Sequence, residues 1–314
     1  MKQQPPLSRF LPLFLFGALL LLLFFPSEAL TGAKNGLILW FYQVIPSLLP
    51  FLILSGLMVS TGCSDFLSGI LSPVLSPLFG CSGSGCYAII IGLFSGLPVG
   101  AKTVAELVTT GRISSKEGTF LLPLCNNAGP FFILGYLCVT LLSIPDFALE
   151  FLLILWVSSI LSAFLLRPGV LFSRHEYTAT EKRRSSRHAL SFSFLLLDKA
   201  IEQAFSLLLR IGGYIVLFSV LTELLRLLPL SPLLTACLCS LLEITTGTSA
   251  LSALPLPKHF LIPLTGAFVS FGGLCGIVQT KSALTGSNLP FAHYIRSKLL
   301  AALLAATILF LRVR

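Results

Sequence analysis

The stretch Gly92-Leu-Phe-Ser-Gly-Leu-Pro-Val-Gly-Ala-Lys-Thr-Val-Ala-Glu106 lies in strongly apolar surroundings but is interrupted at its centre. Gly96, Pro98 and Gly100 break a helix there, because glycine loosens the backbone and proline removes an N–H donor. Lys102 follows at the start of the resumed helix. The sequence therefore predicts an apolar segment that is broken in its middle, with polar groups beside the break.

Three other apolar segments are broken in a similar way. One break is Leu242-Glu-Ile-Thr-Thr-Gly-Thr-Ser-Ala-Leu251, and the other two are Asn126-Asn-Ala-Gly-Pro130 and Gly272-Gly-Leu-Cys-Gly-Ile-Val-Gln279. Interrupted hydrophobic segments in corresponding positions of two halves indicate a transporter's binding site. We predict that the break in Gly92–Glu106 and the break in Leu242–Leu251 face each other at membrane depth and hold a small solute.

The composition indicates an integral membrane protein. The 314 residues are 55% hydrophobic and 11% charged, with a mean hydropathy of +0.94, whereas a soluble domain carries about 25% charged residues. We expect an all-α polytopic membrane protein of two pseudo-symmetric repeats, with kinked and broken helices, re-entrant hairpins and about eight to ten membrane segments. The net charge of +9 lacks the patterns of nucleic-acid binding, so we interpret the basic residues as topology signals.

The pattern divides the chain into four parts. We predict an N-terminal tail and first transmembrane helix over 1–35, a first repeat over 36–166, a basic cytoplasmic linker over 167–194, and a second repeat with a C-terminal helix over 195–314. The first apolar run also fits a signal peptide, although we favour a retained helix. The last crossing is predicted over Leu299 to Leu311, with Arg296 and Lys298 as its basic flank.

Prolines and glycines predict kinks in two long helices. Pro46 and Pro50 lie inside the apolar run from Gly36 to Val59, and each removes one helical hydrogen bond. Gly212-Gly213 takes the corresponding place in the second half. Ser114-Ser-Lys-Glu117 fits a capping box at the start of a helix.

The sequence gives no sign of catalysis, of a cofactor or of a metal site. The eight cysteines lack zinc-site spacing and suit small buried positions, although Cys81 and Cys86 could pair. We find no catalytic motif and no phosphate-binding loop. We therefore expect a protein that is not an enzyme.

The motifs in the four breaks and in the two long helices resemble a known family. They are Pro46-Ser-Leu-Leu-Pro-Phe51, Ser95-Gly-Leu-Pro-Val-Gly-Ala-Lys102, Asn126-Asn-Ala-Gly-Pro-Phe-Phe-Ile133, Ile211-Gly-Gly-Tyr-Ile-Val-Leu-Phe-Ser219, Glu243-Ile-Thr-Thr-Gly247 and Gly272 to Gln279. Together they resemble the YlbJ (SpoVV) family of sporulation integral membrane proteins, which carry the nucleoside-recognition Gate domain. The resemblance implies a fold similar to concentrative nucleoside transporters. It also implies a role in moving dipicolinic acid across the outer forespore membrane.

The residues we expect to bind solute lie in and beside the four breaks: Ser95, Gly96, Gly100, Lys102, Asn126, Asn127, Thr246, Gly247 and Gln279. Lys102 and the N–H groups of its restarted helix would bind a carboxylate. The alternative is that Lys102 reaches lipid headgroups or pairs with Glu106. The three amides would bind a heterocycle, or would instead cap backbone groups freed by the breaks.

Glu243 is the second intramembrane charge. One hypothesis makes it a coupling site for a proton or cation, or the partner that neutralises Lys102; the other makes it a membrane-edge carboxylate without a role in transport. Two functions follow for the whole chain. The first is a transporter of a small anionic or nucleoside-like solute. The second is a non-transporting scaffold for spore-envelope assembly, which would act in the bilayer as a homo-oligomer or with other sporulation membrane proteins.

Overall fold

The chain folds into helices and short connections. The computed structural model describes residues 7–61, 63–167 and 193–314, and within these ranges it contains no β-strand. The prediction of an all-α protein is therefore confirmed. The basic linker predicted over 167–194 lies outside the described residues, apart from its first and last two positions.

The first half of the chain contains eight α-helices among its described residues, two π-helical segments and one 3₁₀ turn. Their bounds are α1 Leu7–Phe24, α2 Pro26–Leu39, π1 Trp40–Val44, α3 Ile45–Ser60, α4 Cys63–Phe79, α5 Gly83–Ser95, α6 Val99–Thr109, α7 Ser115–Cys125, π2 Phe132–Leu141, the 3₁₀ turn Pro145–Phe147, and α8 Ala148–Leu165.

The second half begins with the longest described helix. Its bounds are α9 Phe194–Leu225, α10 Pro232–Leu242, α11 Ile244–Ser252, α12 Lys258–Phe271, α13 Gly273–Ala283 and α14 Phe291–Val313.

Several helices are long and apolar enough to cross a membrane. By length and composition four described spans qualify: Pro145–Leu165, Phe194–Leu225, Lys258–Ala283 and Phe291–Val313. Two bent pairs, α1 with α2–π1 and α4 with α5, raise the number to six; they bend by 101° and 89°. Large apolar side chains on these spans face outward, such as Leu149 and Leu303, which are 63% and 67% exposed. The protein is thus a polytopic integral membrane protein.

The two long helices differ in structure at the positions where the sequence predicts kinks. The helix with Pro46 and Pro50 runs from α2 into α3 through π1, a widened turn that ends two residues before Pro46. The second long helix, α9, continues through Gly212-Gly213 without interruption, so no break occurs there. Gly212 instead serves close packing, because a Cβ at this position would lie 2.7 Å from Cε2 of Trp40. The predicted boundary between residues 35 and 36 falls inside α2.

Glycines allow close backbone approach at two hairpins, between α6 and α7 in the first half and between the two hairpin arms in the second half. Helices α5 and α6 form one hairpin and α10 and α11 form the other. A Cβ at Gly100 would overlap the carbonyl oxygen of Cys125 in α7, and a Cβ at Gly247 would overlap the backbone of Ser240. Both positions therefore require glycine for packing.

The same order of elements occurs in both halves: a hairpin, a helix broken in its middle, and a long helix. The broken helices are α7–π2 and α12–α13, and the long helices are α8 and α14. Contacts between the halves are reciprocal, since α6 packs on α13 while α11 packs on π2, and α14 packs on α7 while α8 packs on α12. The repeat boundaries given above stay predictions.

The start of α7 is tied to the start of α5. The backbone N–H of Glu117 donates to Ser114 Oγ at 3.1 Å, which is the helix cap that the sequence predicts. The Glu117 carboxylate is fully buried and accepts a hydrogen bond from the Ser82 N–H at 2.7 Å. Cys81 and Cys86 lie nearby as free thiols with their sulfur atoms 3.5 Å apart.

The last helix corrects one prediction. It begins at Phe291 rather than at Leu299, so Arg296 and Lys298 lie inside it and do not flank it. Pro290 precedes its first residue, and proline is well tolerated at the beginning of a helix. Lys298 falls on the buried side and is 1% exposed.

Candidate functional site

One cavity lies where the four breaks meet. Its volume is about 110 Å³. A single water molecule needs about 10–15 Å³ of such space, so the cavity has room for several. Each of the four breaks contributes to its lining, among others with Ser95, Leu97, Ala128, Gly129, Glu243, Ile244, Thr245 and Gly272. Side chains of π1, α3, α9 and α13 complete the wall, including Gln43, Phe51, Ile211 and Gln279.

Direct contacts join the breaks to one another. The N–H of Leu97, at the tip of the first hairpin, donates to the carbonyl oxygen of Asn127 at 2.6 Å. A Cβ at Gly273 would lie 3.4 Å from the N atom of Ile244, at the tip of the second hairpin. A Cβ at Gly276 would lie 3.5 Å from Leu97 Cδ1. The breaks therefore face each other, as the sequence predicts.

The wall of the cavity is mostly apolar and carries a few polar groups. Ser95 Oγ is buried without a hydrogen-bond partner in the part of the chain that is described. Gln279 lines the cavity, and its Nε2 donates to Cys275 Sγ at 3.1 Å. No lysine, arginine or histidine lines the cavity among the described residues, and Glu243 is the one formal charge there.

Glu243 caps helix α11. Its carboxylate accepts hydrogen bonds from the N–H of Thr245 at 3.0 Å, from the N–H of Thr246 at 2.8 Å, and from Thr246 Oγ1 at 3.0 Å. A negative charge is stabilised at a helix N-terminus by the unpaired N–H groups and the helix dipole. Within the described ranges no ion pair joins Glu243 to Lys102, so the cross-repeat pairing suggested by the sequence is not formed.

Lys102 stands apart from the cavity. It is half-buried in α6 and is absent from the cavity wall. The N–H groups beside it already have acceptors within the protein: Gly100 N–H donates to Gly96 O at 3.1 Å, and Ala101 N–H donates to Asn126 Oδ1 at 3.3 Å. The restarted helix therefore directs these donors at the chain itself.

The two asparagines join the first broken helix to the second half of the chain. Asn126 Nδ2 donates to Thr280 Oγ1 at 2.8 Å and to the Tyr294 hydroxyl at 2.9 Å. Asn127 Oδ1 accepts from Lys298 Nζ at 3.0 Å, and its Nδ2 donates to Leu124 O at 2.8 Å. Neither side chain lines the cavity, and both do what the alternative interpretation expects, which is to satisfy groups at a break.

A second, more open recess lies beside the cavity. Its volume is about 380 Å³, and it shares Leu39 and Gln43 with the cavity wall. Thr246 lines this recess rather than the cavity, and so does Arg226, whose guanidinium pairs with Glu223 at 3.0 Å. Of the predicted binding residues, Ser95 and Gln279 line the cavity together with the predicted coupling residue Glu243. Gly96, Gly100 and Gly247 shape the breaks and the hairpins around it.

Sequence reasoning missed that Lys298 is buried and contacts the first broken helix at Asn127. A signal was available, because the buried face of α14 repeats at helical spacing through Tyr294, Lys298, Ala301 and Ala305. Extending that pattern backward from the apolar run would have placed Lys298 on the buried side. Among the described residues no cluster of three metal-binding side chains occurs.

Comparison with known proteins gives one similarity that covers most of the chain. No family model matches the sequence, and no solved structure matches it. The chain is 25% identical, over an alignment of 320 residues, to the sporulation integral membrane protein YlbJ of Bacillus subtilis (strain 168). The alignment covers 91% of this chain and 78% of that protein. In sequence, the chain is therefore similar to an integral membrane protein of sporulation.

Proposed function

We propose that this protein is a membrane transporter of a small polar solute, rather than an enzyme, and that the solute binds in the cavity between the four breaks. The observation that supports this most directly is the cavity itself. Four interrupted helical segments from both halves enclose it, with Ser95, Glu243 and Gln279 in its wall. A binding site at the interface of two repeats, built from discontinuous helices, is the arrangement that secondary transporters use.

The physical cost of the breaks supports the proposal. A broken helix in a bilayer leaves backbone groups that cost several kcal/mol when unsatisfied, and such backbone is tolerated only in protein or beside a water-filled cavity. Here the protein satisfies many of those backbone groups. The side-chain hydroxyl of Ser95, at the cavity wall, has no hydrogen-bond partner within the described residues. A solute with hydrogen-bonding groups would supply the missing partner.

We further propose dipicolinic acid as the solute, during spore formation and across the outer forespore membrane. Two observations support this: the family resemblance of the break motifs, and the similarity to a protein whose name places it in sporulation. The chemistry is compatible, since a flat pyridine ring suits apolar walls while its two carboxyl groups need a small number of polar contacts.

Uptake into vesicles tests the proposal. Purified protein is reconstituted in liposomes, and entry of labelled dipicolinate is compared with entry of a labelled nucleoside and with empty liposomes. We expect uptake of dipicolinate that saturates with concentration. Saturable uptake of the nucleoside alone would keep the transporter and replace the solute. Uptake of neither compound would overturn the proposal and favour a scaffold.

A further inference from the structure

We propose that Lys298 supplies the positive charge for a carboxylate of the bound solute, the role that the sequence suggests for Lys102. The inference rests on the proposed transport function and specifies the class of solute, an anion rather than a neutral ring. Lys298 comes from α14, in the second half of the chain, and its ammonium group reaches the break of the first half.

The ammonium group is buried with one donor unused. Lys298 is 1% exposed, and its Nζ donates to Asn127 Oδ1 at 3.0 Å and to Asn126 O at 3.5 Å. A lysine ammonium has three N–H donors. In the described part of the chain the third donor has no hydrogen-bond acceptor, and this leaves one donor for a ligand.

The charge is also uncompensated. Lys298 is the one lysine or arginine in the buried class among the described residues, and no described carboxylate lies within 4.0 Å of its Nζ. A buried charge without a counter-charge costs several kcal/mol, so in a membrane protein it indicates a functional role. An anionic solute would provide the counter-charge when it binds.

The lysine side chain passes directly behind the cavity wall. A Cβ at Gly272 would lie 4.0 Å from Lys298 Cε and 3.8 Å from Leu97 Cδ2. Gly272 and Leu97 both line the cavity. Gly272 has a φ of +90°, a left-handed conformation that favours glycine. The wall is therefore thin between the cavity and the methylene group next to the ammonium.

The charge that lines the cavity, Glu243, does not compensate the Lys298 ammonium behind the wall. The Glu243 carboxylate is held by the N–H groups of Thr245 and Thr246 at the start of α11, and that helix end compensates it. The site thus combines a compensated carboxylate with an uncompensated ammonium, and it should favour a solute that carries a carboxylate.

A pair of isosteric probes tests the inference. Dipicolinate and its neutral analogue pyridine-2,6-dicarboxamide have the same ring and nearly the same shape, and calorimetry measures the binding of each to the reconstituted protein. We expect the wild type to prefer the dianion. In Lys298→Met the dianion should bind on the order of 10- to 100-fold more weakly, the range of a charged hydrogen bond, while the dicarboxamide should bind as before. Lys102→Met is the matched control and should keep the preference.

The outcomes separate the two proposals. Binding of the dicarboxamide shows that Lys298→Met is folded; Lys298→Gln, which retains a donor for Asn127, is the second variant if the first does not fold. A folded variant that keeps the wild-type preference for the dianion would overturn the role of Lys298 and leave the transport proposal intact. A wild type that neither binds nor transports either compound would overturn the transport proposal itself.

Discussion

Filling the cavity with one aromatic side chain should stop transport while leaving the fold intact. Gly276 lies in α13 at the cavity wall, and a Cβ there would make ordinary contacts of 3.5 and 3.8 Å with the methyl groups of Leu97. Gly276→Phe would therefore place its ring at the cavity wall, beside Leu97. The matched control is Gly213→Phe in α9, where a Cβ would meet nothing within 4 Å and which is absent from the cavity wall.

The expected magnitude follows from the volume. A cavity of about 110 Å³ holds about seven to eleven water-sized positions at about 10–15 Å³ each. A phenylalanine side chain adds seven carbon atoms to the wall of this small space, so less room for a solute remains. A binding pocket buries about 70–90% of the surface of its ligand, so a ligand excluded from this space loses most of its contacts. A loss of about 1.4 kcal/mol already weakens binding tenfold, and we therefore expect uptake to fall at least about tenfold.

The free energy of unfolding of Gly276→Phe should change little, although its uptake of solute falls. Burying a phenylalanine side chain is favourable by about 1.5–3 kcal/mol, while overfilling a packed site costs about 1–3 kcal/mol. These contributions nearly cancel in Gly276→Phe, and both variants gain helix propensity from the replacement of glycine.

The assay is saturable uptake of dipicolinate into liposomes, with protein content and melting temperature measured for each variant. Gly213→Phe should transport at close to the wild-type rate. Folded Gly276→Phe with wild-type uptake would show that solute does not pass through this cavity. An equal loss in both variants would show that the effect is not specific to the cavity.

Three further predictions concern stability and coupling. Gly247→Ala should lower the melting temperature by an amount that corresponds to about 1–3 kcal/mol, because the two hairpin arms must separate. The control Gly213→Ala, at an exposed glycine, should leave the melting temperature unchanged or higher. Equal shifts in the two variants would refute the close-packing argument. Glu243→Gln removes the charge at the start of α11 and should lower the free energy of unfolding by about 1 kcal/mol. If uptake by this variant keeps the wild-type dependence on pH and sodium, the carboxylate is a cap and not a coupling group. Tyr294→Phe removes a buried acceptor at 2.9 Å from an asparagine amide and should lower the free energy of unfolding by about 1 kcal/mol. Tyr42→Phe, on a 68% exposed residue, should change that free energy little, and chemical denaturation followed by fluorescence measures both variants.

The chemistry of single residues made much of the fold predictable. Low charge and long apolar runs fix a helical membrane protein, because hydrocarbon leaves the backbone no partners outside the chain. Pro98 and the glycines at 96, 100 and 272 mark two of the breaks, since these residues change the backbone wherever they occur. Ser114 was likewise identifiable as a helix cap.

Signals from neighbouring residues were not sufficient where tertiary packing decides the structure. The Gly212-Gly213 pair predicts a kink by analogy with Pro46 and Pro50, whereas α9 is continuous through it and Gly212 packs closely against Trp40, 172 positions earlier in the chain. Lys298 resembles a topology charge at a helix end, yet it lies inside a helix.

The sequence by itself therefore determined the membrane class, the helices and the positions of the breaks, because these depend on neighbours along the chain. Only the tertiary structure decided which polar groups reach the cavity. Lys102 is beside a break but outside the wall, whereas Lys298 is remote in sequence and lies behind it. The physical reason is that burial and charge compensation depend on which helices pack together, and the packing of α14 against α7 and α12 is a property of the whole fold.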